Sequence, residues 1–268
     1  MNSDDRIAKA AGLLLHSPPG EVDDVFNDIR GIVNDDEALQ EKIEPVLAES
    51  NMQQFLVVEV PDKEGSKVLL TPYNQVDGGR FHDPNTNTVF AFDHLRRVAY
   101  DPEETAESGE HTELRARLQR SLEQYVEAHF AEGFVSVFEH EGSVVSCLVS
   151  NKYSPANFWN GSWRAVWSYD VAKGQLNGSV KVRVHYFEDG NVQLDTQSDF
   201  TSDVGENEVA EAIKKFEAEF QQGVNDGFRQ LSERTFKGLR RALPVTRNRI
   251  DWEKIANYKI GGELANAE

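Results

Sequence analysis

Hydrophobic positions change their period along this chain, and the changes divide it into elements. Over residues 4–50 the spacing is helical. Ile7, Ala10, Ala11, Leu14 and Leu15 share one face until His16-Ser17-Pro18-Pro19-Gly20 breaks it. Val22, Val25, Ile29 and Val33 form a second face, and Leu39, Ile43, Val46 and Leu47 a third, which Pro45 interrupts. Phe55 to Val60 and Val68 to Leu70 read as short strands, followed by an irregular polar region through Gly109. Helical spacing returns over Thr112 to Glu132, with Leu114, Leu118, Leu122, Tyr125 and Phe130 in phase.

From Gly133 to Thr201 the period becomes two. Val180, Val182, Val184 and Tyr186 face one way, and Lys181, Arg183, His185 and Phe187 the other; Trp163, Ala165, Trp167, Tyr169 and Val171 alternate likewise. Turn signals at Glu141-Gly142, Asn160-Gly161, Lys173-Gly174 and Asp189-Gly190 predict a five-stranded antiparallel meander. Val209, Ile213, Phe216, Phe220, Val224, Phe228, Leu231 and Leu239 then mark a long amphipathic helix that Pro244 ends. Thirty-one residues at about 1.5 Å each give roughly 45 Å, enough to cover one face of such a sheet.

The fold class read from this pattern is α+β: a small N-terminal helical bundle, a central antiparallel meander covered by a long C-terminal helix, then an amphipathic C-terminal arm. The expected divisions are 1–52 for the helical bundle or stalk, 53–132 for mixed strands, irregular chain and a helix, 133–202 for the sheet, 203–243 for the long helix and 244–268 for the arm.

Composition narrows the classes. The chain has 268 residues, 39% of them hydrophobic and 10% aromatic, which suffices for a substantial core. Its net charge of −18 argues against nucleic acid or an anionic membrane as the main partner. One cysteine, Cys147, leaves no internal disulfide and no cysteine-based zinc site, and its apolar neighbours mark it as a small buried hydrophobe. MNSDDRIAKA has no signal-peptide core and no apolar run reaches membrane-spanning length, so a soluble intracellular protein is expected. On that expectation the Asn-Gly-Ser sequences at Asn160 and Asn177 read as turns rather than glycan acceptors.

Catalytic chemistry is hard to assemble from these residues. His16, His82, His94, His111, His129, His140 and His185 are scattered, without an HExxH pair or a compact cluster. No phosphate-cradling glycine loop follows a strand, GxSxG is absent, and the 46 acidic residues read as a solvated acidic surface. His185 reads as a satisfied sheet residue. No catalytic residue, cofactor or metal site is expected.

The C-terminal segment carries the opposite charge. Lys237, Arg240, Arg241, Arg247, Arg249, Lys254 and Lys259 face Asp251, Glu253, Glu263 and Glu268 over the last 32 residues, a net +3 that leaves −21 on the remainder. Among the charges stand Ile250, Trp252, Ile255 and Tyr258, spaced two and three apart. Such a segment suits helix-in-groove docking on an acidic partner with an apolar-lined cleft. Docking back onto its own domain explains the pattern equally well, and the residues alone leave both readings open.

Five blocks of sequence decide between them. FNDIR (Phe26 to Arg30), FDHLRR (Phe92 to Arg97), NFWNGSWRAVW (Asn157 to Trp167), VHYFEDGNVQL (Val184 to Leu194) and LRRALPVTRNRIDWEKIANYKIG (Leu239 to Gly261) occur in this order across nearly the whole chain. The sequence resembles the alpha subunit of the heterodimeric F-actin-capping protein. That resemblance implies a beta subunit of similar fold, paired about a pseudo-two-fold axis so that the two sheets run on as one. It implies calcium-independent capping of the barbed, fast-growing end of actin filaments by C-terminal arms, without enzyme activity.

The family's basic actin contacts fall by position on Lys237, Arg241 and Arg247, with Arg240 alongside; Ile250, Trp252, Ile255 and Tyr258 match the apolar part of the arm. Arg249, Lys254 and Lys259 complete the expected actin-binding set. Gly262 departs from the family, which commonly has a basic residue there. The resemblance further implies a place in the cytoplasm and cytoskeleton, at actin patches and cortical actin. The family's regulators are phosphoinositides, peptides of the CARMIL type and an ankyrin-repeat inhibitor. The competing class is a cytoskeletal adaptor whose basic arm docks on a different acidic protein.

Overall fold

A computed structural model describes residues 3–76, 79–106, 109–188 and 191–230. The described residues divide into two units, one running to Glu217 and the other beginning at Ala218. The first unit opens with three helices, α1 (Ser3–Gly12), α2 (Val22–Val33) and α3 (Asp36–Gln53). Ile7, Ala11, Leu14, Ile29, Leu39, Ile43 and Leu47 bury a shared core, so the helical spacing of the sequence matches the packed faces. Helix α3 runs through Pro45 without a break. The missing backbone donor costs one ladder bond, and burial of Ile43 and Leu47 on either side of it offsets that cost.

Two small sheets follow. β1 (Val57–Glu59) pairs with β2 (Lys67–Leu69), and β3 (Gln75–Val76), β4 (Arg80–Asp83), β5 (Thr88–Asp93) and β6 (Val98–Glu104) form a four-stranded antiparallel sheet in sequence order. The region expected to be irregular up to Gly109 is therefore largely sheet. Its strands are two to seven residues long, only Thr88–Asp93 alternates over as many as six residues, and a bulge between Val89 and Ala91 shifts the register of β5 on β6. Phe81 and Phe90 nevertheless sit fully buried in one cluster with Val68, Leu70, Phe138 and Cys147. Cys147 is thus the small buried hydrophobe that its neighbours suggested.

Helix α4 (Thr112–His129) leads into the main sheet: β7 (Gly133–His140), β8 (Ser143–Ser154), β9 (Trp159–Asp170), β10 (Gln175–Tyr186) and β11 (Val192–Asp203). These five strands pair in strict sequence order, every pair antiparallel, as the period-two pattern predicts. β7 and β8 are joined at Glu141-Gly142, where φ values of 50° and 74° fit the tight hairpin turn that needs two left-handed residues. The sequence-stretch Asn160-Gly161 is not a turn. It lies inside β9, and the chain reverses earlier, at a 3₁₀ turn over Pro155–Asn157.

Asn177-Gly178 is likewise inside a strand, β10. Gly178 lies opposite Trp167 on one neighbour and Phe200 on the other. A Cβ at position 178 would fall 2.0 Å from the Trp167 ring. The glycine leaves room for that indole, a packing role that looks like a turn signal in sequence.

One face of the main sheet meets α4 and the start of α5 (Val209–Gln230). Trp167 stacks with Phe200 at 5.8 Å and with Phe216 at 6.1 Å, tying β9, β11 and α5 together over the gap at Gly178. The other face packs on the β1–β2 hairpin through Phe138, Val145, Cys147 and Val149. At its far end His185 Nδ1 lies 2.5 Å from Glu21 Oε1 and Nε2 lies 3.1 Å from Asn191 Oδ1, so this histidine is the satisfied sheet residue expected of it.

Candidate interaction surfaces

The two edges of the main sheet are finished differently. β7 is one edge, and the side chain of Gln119 from α4 lies along it. Gln119 Nε2 donates to the Val135 carbonyl at 3.0 Å and its Oε1 accepts from the Val137 amide at 2.8 Å. A single amide side chain thus substitutes for a neighbouring strand at two backbone positions. The hairpin adds a third contact, the Leu69 amide donating to Ser136 Oγ at 3.1 Å. At the opposite edge, β11 pairs with β10 through all twelve of its residues, and no described strand pairs with its outer side. An edge of that length is a template for another chain.

The sequence of β11, VQLDTQSDFTSD, controls what can add there. It carries Asp195, Asp199 and Asp203 and no lysine or arginine. Two copies of this edge would bring like charges together, whereas a neutral or basic strand would meet complementary charge. Val192 stands 61% exposed at its start, and Phe158 and Tyr186 are also exposed large hydrophobics.

Helix α5 is anchored by a buried polar group on its apolar stripe. Glu217, 1% exposed, accepts from Tyr125 Oη and from Trp167 Nε1, each at 3.0 Å. Burial lifts its carboxyl to about 7, against the opposing effect of the Trp167 and Tyr125 hydrogen bonds and of His129. Sequence reading passed over Glu217. Its signal is positional: it stands four residues after Ile213 and one after Phe216, where the stripe calls for an apolar side chain.

Cys147 is fully buried and its thiol is pushed far up by desolvation, which suppresses the reactive thiolate. His94 is held down, chiefly by burial. Among the described residues no group of three or more histidine, cysteine or acidic side chains could hold a metal ion. No described helix is long and apolar enough to cross a membrane. All eleven expected actin-binding residues (Lys237, Arg240, Arg241, Arg247, Arg249, Ile250, Trp252, Lys254, Ile255, Tyr258 and Lys259) lie outside the described residues.

The sequence model of the F-actin capping protein alpha subunit matches residues 10–263. This chain belongs to the F-actin capping protein alpha subunit family. The alpha subunit of Neurospora crassa is 37% identical over 254 residues, covering 92% of each chain. That of Caenorhabditis elegans is 36% identical over 277 residues, covering 97% of each. In fold the chain is similar to the homodimeric actin capping protein alpha subunit from Plasmodium berghei, with a TM-score of 0.70 at 20% identity, covering 86% of this chain and 93% of that one. The family places this chain among actin-capping proteins of the cytoskeleton, and its α+β architecture is that of a capping protein alpha subunit.

Proposed function

We propose that this chain acts as the alpha subunit of a heterodimer that caps the barbed ends of actin filaments, blocking subunit addition and loss without calcium and without enzyme activity. The observation that carries this reading is the extent of the family match, which runs to residue 263 and so through most of the basic segment. The beta subunit adds its sheet along β11, whose twelve-residue edge and three aspartates favour a partner of different charge over a second copy. The complex works in the cytoplasm, at cortical actin and actin patches.

Binding to actin divides between two kinds of residue. Lys237, Arg240, Arg241, Arg247 and Arg249 supply positive charge on a chain of −18, which speeds approach to an acidic filament end. Ile250, Trp252, Ile255 and Tyr258, framed by Lys254 and Lys259, supply apolar burial, which slows departure. Phosphoinositides, CARMIL-type peptides and ankyrin-repeat inhibitors act, on this reading, by competing for or remodelling those surfaces.

The test is elongation from actin filament seeds in the presence of EGTA, with the co-expressed heterodimer, intact or lacking residues 240–268. Substoichiometric arrest of barbed-end growth that disappears with the deletion is the expected result. Charge reversal at Arg241 and Arg247 is expected to slow association, and truncation before Ile250 to speed dissociation. A well-folded heterodimer that leaves barbed-end growth untouched would overturn the proposal.

A further inference from the structure

On the sheet face away from α4, three cationic side chains stand on adjacent positions of β9 and β10. Arg164 lies directly opposite Lys181, and Arg183 follows two residues along the same face of β10. Like charges placed opposite one another across two strands repel. Among the described residues a single carboxylate answers them: Asp195 of β11 lies 3.6 Å from Lys181 Nζ and 3.5 Å from Arg183 Nε. Among the described residues no ion pair reaches Arg164. Its guanidinium donates to the Gln54 carbonyl at 2.7 Å, the Trp163 carbonyl at 2.8 Å, the Ser150 carbonyl at 3.3 Å and Gln54 Oε1 at 3.4 Å.

Arg164 is partly buried, and desolvation draws its guanidinium down to about 10, against the influence of Tyr153 and with that of Arg183. Buried charges are ordinarily paired. Three cations and one acid leave the cluster at about +2 on a chain whose net charge is −18. The three cations line a cavity of about 340 Å³ beside Met52, Phe55, Tyr73 and Val166. Lys181 is 45% exposed at its mouth, whereas Arg183 is 20% exposed. The apolar walls suit a carboxylate with an apolar neighbour better than a polyhydroxylated phosphate ester, which would leave hydroxyls against them.

We infer that this pocket is a carboxylate-binding site, filled by an acidic side chain of the subunit that pairs along β11. The inference rests on the heterodimer reading and adds to it the chemistry of one contact. Charge complementarity and position select this occupant. β11 is the one strand between the pocket and the open edge, so a chain added there lies within about 10 Å of β10, two strand spacings away. The partner's acid completes a pairing that Asp195 begins.

Zero-length carbodiimide coupling tests it, because the reagent joins a lysine amine to a carboxylate in contact with it. The co-purified heterodimer, carrying Asp195→Asn to remove the internal competitor, is coupled and digested, and the cross-linked peptides are sequenced by mass spectrometry. The expected product joins Lys181 to an aspartate or glutamate of the other subunit, and it is lost in Asp195→Asn with Lys181→Arg. An intact complex by gel filtration in which Lys181 couples only within its own chain, or not at all, would overturn the inference. Failure of the two chains to co-elute would instead strike the heterodimer reading itself, and the pocket's occupant with it.

Discussion

The edges of the five-stranded sheet offer a comparison within one molecule. Both are bordered by unpaired backbone in principle, yet among the described residues β7 is closed and β11 is open. Closure of β7 takes one well-placed glutamine, which satisfies Val135 and Val137 through both ends of its amide. β11 has no such cover among the described residues and carries acidic side chains instead. The lesson is that an edge is protected in one of two ways, by capping its hydrogen bonds or by selecting what can pair with them. Only the second leaves a place for another chain.

Replacing the side chain that holds β11 to the rest of the unit has the largest expected effect. Trp167→Ala removes a 1% exposed indole that stacks on Phe200 and donates to Glu217, at a cost of about 3–5 kcal/mol. Chemical denaturation of the complex measures the loss. Hydrogen exchange sharpens it: amides of β11 are expected to exchange faster while those of β7 keep their protection.

Opening the closed edge comes next. Gln119→Leu strips two buried backbone groups of their partner, worth roughly 2–4 kcal/mol, and turns β7 into a second template. Concentration-dependent aggregation, monitored by light scattering, is expected for this variant. Equal solubility and stability to the parent would break the contrast between the edges.

Glu217→Gln has an effect of opposite sign and somewhat smaller size. The folded carboxyl titrates at about 7 against an ordinary 4.5, so the folded state holds a proton that the unfolded chain releases in that window. The stability linked to this proton is complete below pH 4.5 and is lost as pH rises through 7. Glutamine stays neutral and still accepts from Tyr125 or Trp167. The variant is expected to exceed the parent by up to about 3 kcal/mol at pH 8, with the gap closing toward pH 5, as denaturation curves at the two pH values would show.

Much of this architecture was legible because its elements are long. Twelve-residue strands alternate often enough to show a period of two, and the stripe Val209, Ile213, Phe216 marks α5 plainly. β3 was missed because Gln75–Val76 contains no period at all, and Asp83 of β4, fully buried, is held by a local turn with Thr86 and Asn85 rather than by an apolar pattern, whereas the alternation of β5 over Thr88–Asp93 was there to be read. Gly161 and Gly178 misled for a different reason. Asn-Gly signals a turn when backbone freedom is what the glycine supplies, but Gly178 supplies space for Trp167, which only tertiary packing reveals.

The candidate surfaces divide in the same way. Resemblance alone assigned the basic segment, through residues that lie outside the described part of the chain. Glu217, Gln119 and the Arg164–Lys181–Arg183 pocket were invisible, because each acquires its role from a partner on another element: Trp167 for Glu217, Val135 and Val137 for Gln119, and Gln54 for Arg164.

The central structural claim is that β11 is where a second subunit joins. Residue-resolved hydrogen exchange on the purified heterodimer tests it directly, with β7 as the internal standard. In an open edge strand only the amides facing β10 are protected, so protection alternates along Val192–Asp203. The account predicts protection at successive residues along β11, as in an interior strand. Protection at every other residue in an intact complex would show the edge still open and would contradict it.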